Sequence, residues 1–337
     1  MKLTTLCYIE NEDSYLMLHR IKKEKDINKD KWIGIGGHFE SGESPEECLL
    51  REALEETGLT LTSYQFRGIV TFLCDNLTDY YMCLYTADGY TGTLKDCPEG
   101  TLEWIKKDQL PQLELWEGDL IFFQLLEEKA PFFSLKLQYK NNVLTEAVLN
   151  GKPLELLDIV DTQGRPTGRV RERSLAHRYG SRHRSAHVWL VRPGTENNFE
   201  VLLQKRSLDK DGYPGCLDVS SAGHIPAGCG YLESALRELE EELSLTVAPE
   251  ELVFVGFREA VSHTSFHGKP FHDLEYTAVY LLEWMEDTSA LSFQKEEIDA
   301  LLWMDYHSCV KGIQNGNLNH CLFLEELKMV EDCYQKL

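Results

Sequence analysis

One stretch of this chain occurs twice, and no single small domain can accommodate both copies. Residues 31–59 read KWIGIGGHFESGESPEECLLREALEETGL, and residues 217–245 read LDVSSAGHIPAGCGYLESALRELEEELSL. Each copy starts strand-like, passes through Gly-His and a glycine-containing loop, and enters an amphipathic helix with Arg-Glu-x-x-Glu-Glu. Gly37 and Gly223 mark the same point in each. An apolar run ending in basic residues precedes each copy: YLMLHR at 15–20 and VLLQKR at 201–206. A late tryptophan follows each, Trp104 and Trp303. The period is far too long for a solenoid, so this is a duplicated domain. The 337 residues suit two cores of ordinary size.

The seam is expected near Asn150-Gly151-Lys152-Pro153, a turn signal after the run SLKLQYKNNVL. This gives a first domain at 1–150, a linker at 151–156 and a second domain at 157–337. Leu120 to Glu128 reads as a terminal helix of the first domain, and LLDIVD opens the second. Strands interleaved with a few helices predict an α/β (α+β) layered fold, twice.

The net charge of −22 repels nucleic-acid backbones and argues against a polymeric nucleic-acid partner. No apolar run reaches the roughly 18 residues of a membrane span. The segment Met1 to Ser14 reads as a strand and turn, not a signal peptide. Ten cysteines without C-x-x-C spacing are expected to be reduced, mostly buried thiols in a cytoplasmic protein.

In the first copy, Glu52, Glu55 and Glu56 fall on one side of a helix. Like charges at that spacing destabilise a bare helix by a few tenths of a kcal/mol per pair. A hard dication relieves the repulsion, because Mg²⁺ takes carboxylate oxygens. Ser44 is placed to cap the helix, Pro45 to start it, and Gly58 to end it in a left-handed conformation. A solvated acidic face would need no such frame. Here Gly37, Glu43, Arg51 and Gly58 surround the acids in a fixed pattern.

That pattern matches the Nudix box without a gap, and residues 1–150 resemble the MutT-like branch of the Nudix hydrolases. The resemblance implies an α/β/α sandwich around a mixed sheet. It also implies Mg²⁺, or Mn²⁺ as an alternative ion, on Glu52, Glu55 and Glu56, with Arg51 pairing to Glu43. A further acid from a loop usually completes such sites. Glu99 is the choice here, with a plain turn role in CPEG as its competitor. The segment LWEGDLIFFQLL at 115–126 resembles the base-recognition segment of enzymes that destroy oxidised purine nucleoside triphosphates. Trp116 would stack on a purine and Asp119 would bond its edge, the alternative for Trp116 being core packing. In that branch a KWNGFGG-like run is usual. Here it is KWIGIGG, so Ile33 replaces an amide. The implied reaction is water attack on a phosphorus of a substrate such as 8-oxo-dGTP, giving a monophosphate and pyrophosphate. Arg20 or Lys22 would contact the phosphates, or would be exposed charges. The implied partners are nucleotides or other small diphosphates, with homodimer formation left open.

Residues 157–337 resemble the Nudix branch that holds isopentenyl diphosphate isomerases and their hydrolase relatives, through LLDIVDTQGRPTG, RHRSAHVWLV, LLQKRS, PGCLDVSSAGH and ALRELEEE. The isomerases carry a cysteine directly before the box Gly-His, where this chain has Ala222. Alanine neither gives nor takes a proton, and Cys216 and Cys229 lie elsewhere. The second box keeps Glu238, Glu241 and Glu242 as metal ligands. It has Cys229 for the acid that would pair with Arg237, and Ser244 for the closing glycine. An active hydrolase, a weakened one, an isomerase, and a non-catalytic nucleotide-sensing or dimerisation module all remain readings. Glu296 or Glu297 could add a distal acid. Seven arginines between Arg165 and Arg184 are either a phosphate-binding wall or a basic run paired with acidic surface. His263, His267 and His272 are expected in a loop, because Gly268 and Pro270 oppose a helix.

Overall fold

The computed structural model describes residues 1–22, 26–75, 78–195, 198–210, 212–266 and 268–337. The chain divides into two compact units. Met1–Leu156 with Arg169–Leu175 form the first, and Leu157–Gly168 with Ala176–Leu337 form the second.

The first unit contains β1 (Lys2–Asn11), β2 (Ser14–His19), β3 (Trp32–Ile33), α1 (Pro45–Thr57), β4 (Leu59–Cys74), β5 (Tyr80–Gly92), β6 (Thr101–Lys106), α2 (Asp119–Glu127), β7 (Phe133–Lys140), β8 (Val143–Leu149) and β9 (Lys152–Pro153). Among the described residues the sheet runs β3-β2-β1-β5-β4-β7-β8-β9, with β6 on β2. It is mixed, since β1 with β5 and β4 with β7 are parallel. Alternation along β1 produces the layers. Cys7 and Ile9 pack on one side with Leu49 and Ala53 of α1. Tyr8 points the other way, against Phe122 and Phe123 of α2 at 5.6 and 4.7 Å between ring centres.

The expected linker is not one. Asn150 and Gly151 both have positive φ, 50° and 80°, and such a pair makes a tight hairpin turn. The chain therefore turns back, and β9 pairs with β8 through Val148–Pro153 and Leu149–Lys152. The run 134–144 is likewise two strands, folded at Asn141 and Asn142, which also have positive φ.

A two-stranded ladder of β10 (Leu156–Val160) and β11 (Pro166–Glu172) and the helix α3 (Arg173–Tyr179) come next. The second unit continues with β12 (His183–Pro193), β13 (Phe199–Arg206), β14 (Leu217–Asp218), β15 (Ser221–His224), α4 (Tyr231–Leu243), β16 (Val253–Phe266), β17 (Lys269–Glu283), β18 (Ile298–Asp305), α5 (Tyr306–Gln314) and α6 (Leu324–Tyr334). Its sheet runs β14-β13-β12-β17-β16, with β15 on β12 and β18 on β13. Ala186, Val188 and Leu190 of β12 pack with Ala235 and Leu239 of α4. Trp189 and Val191 pack on the other face with Cys309 of α5 and Leu327 of α6. Each unit is thus an α/β/α sandwich.

One expectation fails here. His263 and His272 are not loop residues but directly opposed partners on β16 and β17, with their Nδ1 atoms 2.9 Å apart. Gly268, at φ 76°, marks the turn of a long hairpin rather than an irregular loop. His267 lies outside the described residues. Among the described residues no helix is long and apolar enough to cross a membrane.

Ser244 ends α4 at φ 52°, while Gly58 ends α1 at φ 77°. Glycine takes that conformation without the Cβ strain that serine carries there. Ser244→Gly is expected to stabilise the second unit by roughly 1 kcal/mol, read as a higher urea midpoint. An unchanged or lower midpoint would contradict the strain.

Candidate active sites

In the first unit the helix α1 carries the site, and its ends are built as the sequence indicates. Ser44 Oγ accepts the Glu47 N–H at 3.2 Å, and Glu47 Oε2 accepts the Ser44 N–H at 2.8 Å. Gly58 donates its N–H to the Leu54 carbonyl. These bonds satisfy groups that a helix end leaves open.

Arg51 sits at the centre of the acids. Its Nε and one terminal nitrogen donate to the two oxygens of Glu43, at 2.6 and 2.9 Å. The other terminal nitrogen donates to Glu52 at 2.7 Å and Glu55 at 3.3 Å. The guanidinium beside Glu43 holds that carboxyl down at about 2. A bidentate pair of this kind fixes direction as well as charge. Glu56 is buried, and its Oε2 accepts the Gly36 N–H at 2.9 Å. Gly37 has no room for a side chain: a Cβ there would lie 2.2 Å from Glu52 Oε1. The donor set is therefore three carboxylates on one side of a helix, seated on bare backbone and oriented by one arginine. Hard oxygens in that arrangement fit Mg²⁺ or Mn²⁺.

Glu99 pairs with Arg20, which also holds Asp26 at 2.7 Å. Lys22 Nζ donates to the Cys97 carbonyl at 2.6 Å. Burial pushes the Cys97 thiol up, and the Glu56 charge adds to that push. The 97–99 loop thus lies within electrostatic reach of the acid helix. Arg20, Lys22 and Glu99 share one polar cluster and are not isolated surface charges.

Trp116 is only 4% exposed. Its Nε1 donates to Asn28 Oδ1 at 2.9 Å, and Lys31 Nζ lies 4.5 Å from the ring centre. Phe72 and Tyr139 meet it edge-on at 5.0 and 4.8 Å. Asp119, at the start of α2, is also buried, and burial raises its carboxyl to about 8. At neutral pH it is a proton-bearing acid, with both a donor and an acceptor.

The second unit repeats the seating of the acids. A Cβ on Gly223 would lie 2.2 Å from the Glu238 carboxyl carbon, and the Ala222 N–H donates to Glu242 at 3.1 Å. Burial raises Glu242 to about 7. Arg237 donates to Glu238 at 2.6 Å and lies 3.7 Å from Glu241. Cys229 offers it no carboxylate, and among the described residues the buried Nε of Arg237 has no hydrogen-bond partner. Glu297 pairs with Lys210, whose charge acts on Glu242. Lys210 thus links Glu297 electrostatically to the second acid helix.

The arginine run is paired. Arg165 binds Asp161, Arg169 and Arg171 bind Glu117, Arg173 binds Glu155, Arg182 binds Glu259 and Arg184 binds Asp158. Arg178 lies over the Tyr179 ring. Pairing with acidic groups, not a phosphate wall, describes this segment.

A cluster that sequence reasoning passed over lies in the same unit. One ligand atom each from His177, His183 and His224 lie within 4.8 Å of one another, as do those from His183, Asp273 and Glu275. His224 Nε2 is 3.4 Å from Glu275 Oε1, and Ser185 donates to the other oxygen at 2.9 Å. Burial alone would raise Glu275, but His224 and His183 hold it well below the usual range. Imidazole and carboxylate together suit a transition-metal ion. The available signal was His177 and His183 inside the arginine run, but charge counting submerged it.

The NUDIX domain model matches residues 2–126 and 181–320. This chain belongs to the Nudix family. Its two sandwiches are tandem Nudix folds. Nudix hydrolase 3 of Arabidopsis thaliana is 40% identical over 156 residues, 45% of this chain but only 19% of the plant protein's own length. The oxidized purine nucleoside triphosphate hydrolase of Mus musculus is 31% identical over 127 residues, covering 36% of this chain and 80% of that one. A MutT protein from Bacillus halodurans aligns with 28% identity and a TM-score of 0.40 over 45% of this chain and 100% of that structure.

Two outcomes follow from this geometry. Asp119 holds its proton to about pH 8 in the folded chain, against an ordinary 3.8. Between those values the folded state binds more protons than the unfolded state, so stability falls as pH rises. Asp119→Asn is expected to flatten the fall in melting temperature from about pH 6 to about pH 9. Parallel wild-type and variant curves would refute the assignment. Cys229→Glu, made in a Glu56→Gln background that weakens the first site, is expected to restore the partner of Arg237. The Mg²⁺ midpoint of thermal stabilisation should then fall about tenfold. An unmoved midpoint would mean that the missing acid is not what limits this box.

Proposed function

We propose that the first unit is a Mg²⁺-dependent pyrophosphohydrolase of oxidised purine nucleoside triphosphates, 8-oxo-dGTP leading. The observation that carries this reading is a complete acid helix in the same unit as a buried tryptophan and a proton-bearing carboxyl. Asp119 presents a donor and an acceptor to a purine edge, a pairing that an ionised carboxylate cannot supply. Trp116 is the stacking surface. Since it is almost wholly covered, a base would reach it by displacing a neighbour, and the long Lys31 side chain, whose ammonium lies over the ring, is the one that would give way. The name of the mouse relative supports the same class.

Glu52, Glu55 and Glu56 would hold the ion, which when bound neutralises phosphate oxygens and acidifies a water. The remaining work falls to the chain itself. Arg51, fixed by Glu43, aims the carboxylates. Gly37 keeps the approach to Glu52 open. Arg20, held by Asp26 and Glu99, is the cation for the phosphates. A carboxylate of the helix accepts the proton of the attacking water. The products are a nucleoside monophosphate and pyrophosphate. A cytoplasmic location agrees with unbridged cysteines, of which Cys7, Cys48, Cys74, Cys97, Cys216 and Cys309 are buried.

For the second unit we propose hydrolysis of another nucleoside or organic diphosphate at Glu238, Glu241 and Glu242. The shared seating of Glu52 and Glu238 favours this reading over a non-catalytic sensing or dimerisation module. Ala222 opposes isomerase chemistry.

Pyrophosphate release by the whole chain distinguishes these readings, using oxidised and normal nucleotides, nucleotide sugars and dinucleotides as substrates. Glu56→Gln is expected to lower kcat on oxidised purine triphosphates by about 100-fold or more and to reduce thermal stabilisation by Mg²⁺. Glu242→Gln should spare that activity and remove turnover of a different diphosphate. Full activity in Glu56→Gln would show the first site to be misassigned. No loss on any substrate in Glu242→Gln would leave the second unit without hydrolytic function.

A further inference from the structure

We propose that residues 169–175 form a strap that positions the Trp116–Asp119 segment, with Glu117 as its anchor. The proposal rests on the reading of that segment as the base site. In sequence the strap lies beyond the first repeat and beyond the turn at 150–153, yet it groups with the first unit.

Three ties hold it. At its centre, Arg169 and Arg171 converge on the Glu117 carboxylate. Arg169 donates to one oxygen at 2.5 Å, and Arg171 donates to the other at 3.3 Å. Arg171 is buried and the Glu117 side chain is only 17% exposed, so the Arg171–Glu117 pair is little screened by solvent, while Arg169 closes the outer, half-exposed side. Further on, the Arg173 N–H bonds the Glu155 carbonyl at 3.0 Å and its guanidinium the Glu155 carboxylate at 3.2 Å. Ser174 Oγ lies 3.3 Å from Gln124 Oε1 on α2.

Glu117 and Gly118 separate the two proposed base contacts. Trp116 precedes Glu117. Gly118 follows, donates its N–H to the Tyr139 hydroxyl at 2.9 Å, and has no space for a Cβ, which would lie 2.6 Å from that oxygen. Asp119 comes next. A segment seated so closely has little freedom once Glu117 is fixed. The strap also balances charge, because the Glu117 carboxylate acts directly on Asp119. Two guanidiniums on Glu117 offset a negative charge that would otherwise lie beside a buried acid. The strap residues are therefore positioning residues, acting on the base site through Glu117.

The test uses the full chain with Arg169→Ala, Glu117→Gln and the charge-keeping Arg169→Lys. Arg169 is half exposed, so its loss leaves a folded protein even where an Arg171 variant would not. Hydrogen exchange is followed in the peptides covering 113–127 and 45–57. Arg169→Ala and Glu117→Gln should speed exchange in 113–127 about tenfold and leave 45–57 unchanged, with Arg169→Lys close to wild type. On the preferred purine triphosphate, KM should rise about tenfold with kcat within about twofold. Unchanged exchange in 113–127 overturns the strap. Faster exchange there, with no change in KM for any nucleotide, upholds the strap and overturns the base-site reading.

Discussion

Glu52 lies so close to the backbone at Gly37 that a Cβ would be 2.2 Å from its oxygen, and Glu238 lies equally close at Gly223. The same carboxylate of the acid helix therefore rests on a bare glycine in both units. A side chain at either glycine would force that carboxylate aside, and it could no longer converge with its neighbours. Two neighbouring bonds repeat the arrangement, from the Gly36 N–H to Glu56 and from the Ala222 N–H to Glu242. The backbone thus supplies a fixed donor to one acid and bare space to another. Everything proposed about hydrolysis depends on that seating.

The units diverge in what holds the arginine. In the first, Glu43 takes Arg51 with both oxygens, and the guanidinium then bridges to Glu52 and Glu55. In the second, Arg237 still reaches Glu238, but Cys229 cannot answer it, and among the described residues the arginine's buried Nε has no hydrogen-bond partner. Arg237 therefore orients the acids without the bidentate anchor that fixes Arg51. The second unit adds instead a set of imidazoles with Glu275 and Asp273, a chemically softer environment than three carboxylates.

Burial decides the chemistry of individual acids. Glu43, gripped by Arg51, is ionised to about pH 2. Asp119 is buried, and among the described residues no cation pairs with it as Arg51 pairs with Glu43, so it keeps its proton to about pH 8. Two carboxyl groups of one unit therefore serve opposite ends, one as a fixed anion and one as a hydrogen-bond donor.

The local sequence determined the parts that depend on short spacing. Ser44, Pro45 and Gly58 specified where α1 begins and ends, and the duplication specified two sandwiches, because capping and helical periodicity act within a few residues. The Arg51–Glu43 pair was legible through the family frame. Tertiary structure decided what depends on distant residues meeting. Sequence alone left open whether the arginines between Arg165 and Arg184 met phosphate or carboxylate, because their acidic partners lie up to 77 residues away, as Arg182 and Glu259 do. It placed the end of the first unit at residue 150, because the turn at Asn150-Gly151 looks the same whether the chain leaves or folds back. It read His263 and His272 as a loop, because a glycine and a proline mark a hairpin turn as well as an irregular stretch. The pairing of a strand with its neighbour, and of a charge with its counter-charge, is settled by the packed chain and not by the residues beside them.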